Sequence, residues 1–213
     1  VVLALAPSQR PKLTLYVRSR SKLSSETLSS PSVRVVEGTL RDESALKDAM
    51  TGIDTVLSFL GAPLSLSALV LRIKTTPIAD SLPTVFAAMR SQNVTRILAL
   101  STSAFQQTVG GRPESLPWKF WLTRLFPPLL VPQGHAEMKA IAINISTQSD
   151  FDWTIYRIPY LNNGSADLPV AAGLFGPDYK GSMSLSRASL ARWLLQVIDK
   201  GEWIRGAPAV ANY

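Results

Sequence analysis

Two short stretches of this chain combine residue types that could do chemistry. The first is His135-Ala136-Glu137-Met138-Lys139. Side chains four apart on a helix share a face, one turn from each other, so a helix here would bring His135 and Lys139 together. An imidazole ionises near ~6.5 and can deliver a proton at neutral pH; a lone histidine can equally be structural or exposed. The second stretch is Arg18-Ser19-Arg20, followed by Lys22. Guanidinium and hydroxyl donors converging on one turn can hold a phosphate, and the alternative is a solvated basic turn.

The elements that must position these residues alternate along the chain. Leu13 to Val17, Val33 to Val36, Asp54 to Leu60, Arg96 to Ser101 and Trp153 to Ile158 are short, apolar and rich in β-branched residues or leucine, as buried strands are. Helical patterns lie between them. Asp42 is suited to cap a helix carrying Ala45, Leu46, Ala49 and Met50, with Gly52 as its stop. Ile78, Leu82, Val85 and Met89 predict a helix running into Asn93, with Pro83 kinking it or sitting in its first turn. Apolar stripes follow at Met138, Ile141, Ala142 and Ile145, and at Leu190, Leu194, Val197 and Ile198. Strand, helix, strand at this spacing demands parallel pairing. The expected fold is therefore a single α/β domain over residues 1–213, a Rossmann-like doubly wound parallel sheet.

In such a fold, basic residues at the end of the second strand accommodate the 2′-phosphate of NADP, where an acidic residue would bind the 2′-hydroxyl of NAD. Arg18, Ser19 and Arg20 stand in that place. The usual opening strand and Gly-rich turn, whose backbone amides hold the pyrophosphate, are expected to be missing. Val1 to Pro7 reads as the last turns of the helix after that turn, and Leu13 to Val17 fills the one strand available before Arg18. The sequence is then a fragment, or the phosphate loop has been lost, and weak cofactor binding and aggregation are expected.

Composition narrows the classes. Apolar residues make up 46% and charged residues 17%, as expected for a sheet covered on both faces. The absence of cysteine excludes disulfides, thiolate metal sites and a cysteine nucleophile; no metal site is expected. The net charge of +7 could suggest nucleic acid, but the 22 basic residues form no tail or dense cluster, so no nucleic-acid partner is expected. No apolar run is long enough for a membrane span, and the cytoplasm is the expected location. Gln106 to Gln133, holding Trp118, Phe120, Trp121 and Phe126, is a candidate lid or substrate wall, or else aromatic padding of a surface helix. Pro63 to Thr76 also departs from the alternation.

The ordered set of Val17-Arg18-Ser19, Gly38 to Asp42, Gly61-Ala62, Val94 to Ser103 and Asp152-Trp153-Thr154-Ile155-Tyr156-Arg157-Ile158-Pro159 resembles the atypical short-chain dehydrogenase/reductases, in particular the NmrA-like and biliverdin-reductase-B-like NAD(P)H-binding proteins. The resemblance implies that Thr39 and Leu40 lie against the adenine, and that Leu60, Gly61 and Ala62 follow the ribose and pyrophosphate. It places Ser101 and Thr102 beneath the nicotinamide and Pro159, Tyr160 and Leu161 on its far side. The family's usual Tyr-x-x-x-Lys pair is here His135 and Lys139, which implies a ribose-binding Lys139 and leaves His135 or water as proton donor.

Three functions remain open: an NADP(H)-dependent reductase of a small hydrophobic carbonyl or conjugated substrate, a non-catalytic regulator whose dinucleotide occupancy changes a protein contact, and a truncated product that no longer binds cofactor.

Overall fold

The computed structural model describes residues 11–61, 74–109, 112–117, 120 and 131–213. The expected helix end at Val1 to Pro7, and Ala62, Trp118, Trp121 and Phe126, lie outside the described residues. The chain divides into two compact units, residues 1–56 with 81–95 and residues 57–80 with 96–213.

In the first unit β1 (Leu13–Val17) and β2 (Val33–Glu37) pair in parallel, from Leu13 opposite Val33 to Val17 opposite Glu37. A 3-10 turn, Arg20–Lys22, and the short helix α1 (Ser25–Ser29) make the crossover. The Ser24 hydroxyl caps α1 by accepting the N–H of Thr27 at 3.3 Å. Helix α2 (Glu43–Met50) starts where the Asp42 carboxylate accepts the Ala45 N–H at 3.0 Å, satisfying a donor the helix cannot use internally. It buries Leu46, Ala49 and Met50 and packs on α3 (Leu82–Ser91).

Helix α3 begins at Leu82, later than the apolar pattern from Ile78 suggests. Pro83 sits in its first turn, where the missing N–H is one the helix leaves unbonded in any case; residues Ala79–Ser81 form a 3-10 turn before it. Gly38 is required by close approach. The Tyr16 hydroxyl donates to the Thr39 carbonyl at 2.7 Å, which lays the ring over Gly38, and a Cβ there would come within 2.9 Å of Tyr16 Cζ and 3.0 Å of Ala45 Cβ.

The second unit holds a five-stranded sheet whose first strand in the chain begins in the first unit. Its members in spatial order are β3 (Thr55–Ser58), β4 (Arg96–Ser101), β7 (Asp152–Arg157), β11 (Ala209–Asn212) and β9 (Val170–Gly173). β4 and β7 are parallel, from Arg96 opposite Asp152 to Ser101 opposite Arg157, and β11 is parallel to β7. The edge strand β9 runs antiparallel to β11, which the strand–helix alternation does not foretell. Two further ladders stand apart: β5 (Thr108–Val109) with β6 (Arg112–Pro113), antiparallel, and β8 (Tyr160–Asn162) with β10 (Ser184–Ser186), parallel.

Helix α4 (Pro132–Ser146) buries the predicted stripe Met138, Ile141, Ala142 and Ile145 on β4 and β7. Helix α5 (Arg187–Lys200) buries Leu190, Leu194 and Val197 in a cluster with Leu98, Tyr156, Leu185 and Val210. Each such side chain contributes about 1.5–3 kcal/mol on removal from water. Ile97, Ala99 and Ile155, which alternate with Leu98 and Tyr156 along their strands, are buried too. A sheet covered on both faces explains why these strands read as continuous apolar runs rather than alternating ones. Among the described residues no helix is long and apolar enough to cross a membrane.

Candidate functional site

In open α/β sheets ligands bind outside the carboxyl ends of parallel strands. In the second unit the parallel neighbours β4 and β7 continue as Thr102-Ser103 and Ile158-Pro159-Tyr160, and Phe59-Leu60-Gly61 follows β3, which lies next to β4. Ser101 closes β4 and is fully buried. Its hydroxyl donates to the Met138 carbonyl at 3.0 Å and its carbonyl accepts the Ile158 N–H at 3.0 Å. Ser101 therefore ties together β4, α4 and the end of β7, and its hydroxyl is engaged inside the unit. Thr102 is half-buried, its hydroxyl accepting the Ala104 N–H at 3.2 Å.

Gly61 is exposed, and a Cβ on it would meet only Leu100, at 3.9 Å, so the backbone there is open to close approach. Leu60, Pro159 and Leu161 are half-buried. Phe59 and Tyr160 remain 57% and 75% exposed, so a large aromatic ring stands exposed shortly after each of the two strands that flank β4. The Phe59 ring meets the edge of Tyr156, with centroids 6.2 Å apart. Tyr156 is held by a 2.7 Å bond from its hydroxyl to the Ser58 carbonyl.

Helix α4 carries His135 and Lys139. At 3.6 residues per turn, Gln133, Glu137 and Asn144 fall on one stripe and His135 with Lys139 on the opposite side. The stripe is bonded to residues 75–79. Gln133 Nε2 donates to Thr75 Oγ1 at 3.4 Å, and Asn144 Nδ2 to the Ala79 carbonyl at 3.5 Å. Between them the Glu137 carboxylate, with no exposure, accepts the N–H groups of Ala79 at 2.8 Å and Ile78 at 3.4 Å. This seam fixes the rotation of α4 and so presents the His135–Lys139 face. Sequence reasoning treats Glu137 as a spacer, because its partners lie 58 and 59 residues away. His135 is half-buried and Lys139 exposed. Burial, and then the charge of Lys139, hold the imidazole below its ordinary 6.5. At neutral pH His135 therefore offers a neutral ring N–H, which can polarise a carbonyl, and little imidazolium.

A second buried group was likewise missed. Arg157 at the end of β7 and Glu114 after β6 form a bidentate ion pair with almost no exposure. Arg157 also donates to the Phe105 carbonyl at 3.2 Å and lies 4.7 Å from the centre of the Phe175 ring. Glu114 accepts the N–H groups of Gln107 and Phe175 at 3.0 and 2.8 Å. The pair thus anchors the described part of the proposed substrate wall to the sheet, and Phe120 packs there on Phe175 and Tyr179. An open depression of about 400 Å³ runs along β9 and residues 174–180; no candidate residue from the sequence lines it.

The remaining candidates lie in the first unit, at the carboxyl ends of β1 and β2. Arg18, Arg20 and Lys22 are exposed and enter no ion pair among the described residues. Ser19 and Ser21 share a 2.8 Å hydroxyl contact, and the Arg20 N–H donates to Glu37 Oε2 at 3.1 Å. Thr39 is exposed and Leu40 half-buried. Among the described residues no cluster of side chains suits a metal ion.

A family model described as NAD(P)H-binding matches residues 1–201. No curated protein matches the chain. Among solved structures, a short-chain dehydrogenase/reductase from Veillonella parvula in complex with NADP shares 16% identity, with a TM-score of 0.68 over 94% of this chain and 82% of that one. A Rossmann-fold NAD(P)-binding family protein from Shigella flexneri shares 20% identity, with a TM-score of 0.64 over 99% and 85%. An anaerobillin reductase from Escherichia coli O157:H7 shares 15% identity, with a TM-score of 0.66 over 96% and 86%. At these identities the likeness establishes the Rossmann-like α/β fold.

Proposed function

The chain belongs to the NAD(P)H-binding family, and from that premise we propose that it is an NADPH-dependent reductase of the NmrA-like and biliverdin-reductase-B-like branch, acting on small hydrophobic carbonyl or conjugated compounds. The observation that carries the reading is the exposed basic group Arg18, Arg20 and Lys22, in no ion pair among the described residues, at the strand end where such folds accommodate a 2′-phosphate. Neighbours described as bound to NADP and as a reductase support it.

Each unit, taken by itself, carries residues that suit one part of the cofactor. Arg18, Ser19 and Arg20 offer donors for the 2′-phosphate, Thr39 and Leu40 a surface for the adenine, and the open backbone at Gly61 a place for close approach. Thr102, Pro159, Tyr160 and Leu161 would border the nicotinamide, and Lys139 would bind ribose hydroxyls. When bound, the nicotinamide supplies a hydride. The chain's own contribution is to orient the substrate against exposed Phe59 and Tyr160 and to offer the neutral ring N–H of His135 to a substrate oxygen, while water supplies the proton that completes the reduction. Consumption of NADPH with a panel of aromatic aldehydes, ketones and conjugated enones tests the reading. Turnover that falls at least tenfold in His135→Ala supports it, and no turnover with any compound contradicts it.

The replacement of the family's usual tyrosine by His135 favours one second reading, a dinucleotide-binding regulator without catalysis. Tight NADPH binding with no turnover would select it.

A further inference from the structure

An acidic side chain touches the basic strand end of the first unit. Glu37 closes β2 opposite Val17, the last residue of β1. Its Oε2 accepts the Arg20 N–H at 3.1 Å, the first donor of the 3-10 turn Arg20–Lys22, which has no partner within the turn. The side chain is exposed and makes no ion pair among the described residues. Glu37 thus does two things at once. It pins the backbone that presents Arg18, Ser19 and Arg20, and it sets a carboxylate beside the place where those residues would meet a phosphate.

We propose that Glu37 is a specificity-determining residue that moderates the preference for the phosphorylated dinucleotide, an inference that rests on the NADPH reading above. The acid that accepts a ribose 2′-hydroxyl in such folds ends the strand that here ends at Arg18; Glu37 ends the adjacent strand and reaches the same turn through the Arg20 N–H, where a carboxylate can accept a 2′-hydroxyl and repels a 2′-phosphate. The turn therefore carries readers of both cofactors, the cations favouring NADPH and Glu37 favouring NADH. Two unit charges about 4 Å apart in water interact by ~1 kcal/mol, a factor of about five in affinity.

The test is fluorescence titration of the full chain with NADPH and NADH, for wild type, Glu37→Gln, Glu37→Ala and Arg18→Glu, with melting temperatures confirming that each variant folds. Both Glu37 variants are expected to raise the ratio of NADPH to NADH affinity by about five- to tenfold, with the gain shrinking as salt is added. A ratio unchanged in both Glu37 variants, or equal losses for both cofactors in Glu37→Ala alone, would overturn the inference and leave Glu37 a backbone cap. If Arg18→Glu still inverts the ratio in that case, the NADPH reading stands without it. Wild type that binds neither cofactor overturns the reading and the inference together.

Discussion

Arg157 and Glu114 meet through two charge-assisted bonds, with neither side chain more than 1% exposed. A buried ion pair adds little stability over apolar residues of the same shape, but breaking one leaves an uncompensated charge and costs about 3–5 kcal/mol. Glu114→Ala should therefore lower the urea midpoint strongly, and Glu114→Ala combined with Arg157→Leu should recover part of the loss. A single-variant cost below about 1 kcal/mol would mean that the pair is solvated in solution.

Glu137 should behave as an acceptor rather than as a charge partner. Glu137→Ala strands the N–H groups of Ala79 and Ile78, at about 1–3 kcal/mol for a buried unsatisfied donor. Glu137→Gln keeps one carbonyl acceptor and should lose roughly half as much in chemical denaturation. Equal losses in the two variants would contradict this seam.

His135 is the single histidine of the chain, so its titration can be followed without ambiguity by NMR. Its midpoint should lie below 6.5, and Lys139→Ala should move it upward while burial still holds it under that value. The unfolded chain binds this proton more tightly than the folded one. Stability is therefore complete above pH 6.5 and falls as the pH drops from 6.5 through the folded midpoint. A midpoint above 6.5 would contradict the half-buried placement of the ring.

Gly38→Ala should cost about 1–3 kcal/mol through overpacking against Tyr16, read as a fall in melting temperature. Removing the ring in Tyr16→Ala should lower the cost of the same glycine substitution to that of the remaining contact with Ala45 Cβ, a coupling that a double-mutant cycle measures directly. Additive losses would show that the ring does not lie over Gly38.

The sequence made the sheet legible wherever burial on both faces left a run of apolar residues. Leu13–Val17 and Arg96–Ser101 coincide with their predicted spans, and the Asp42 cap and Gly52 stop fall where local chemistry places them. The strands Val170–Gly173, Ser184–Ser186 and Ala209–Asn212 are too short and too mixed to announce themselves, and only their partners make them strands. The site divides the same way. Arg18 and Arg20 are visible because they follow a strand, and His135 and Lys139 because their spacing is helical. Glu114, Glu137 and the buried role of Ser101 depend on partners 43, 58 and 37 residues away, a separation that no local pattern carries.

The measurement that bears most directly on the proposed NADPH-dependent activity is the affinity of the wild-type chain and of Arg18→Glu for NADPH and NADH under one salt condition. Wild type should bind NADPH more tightly than NADH, and Arg18→Glu should weaken NADPH at least tenfold while changing NADH by less than about twofold. Equal losses for the two cofactors, or a wild type indifferent to the 2′-phosphate, would contradict the assignment of Arg18 and Arg20 as its readers.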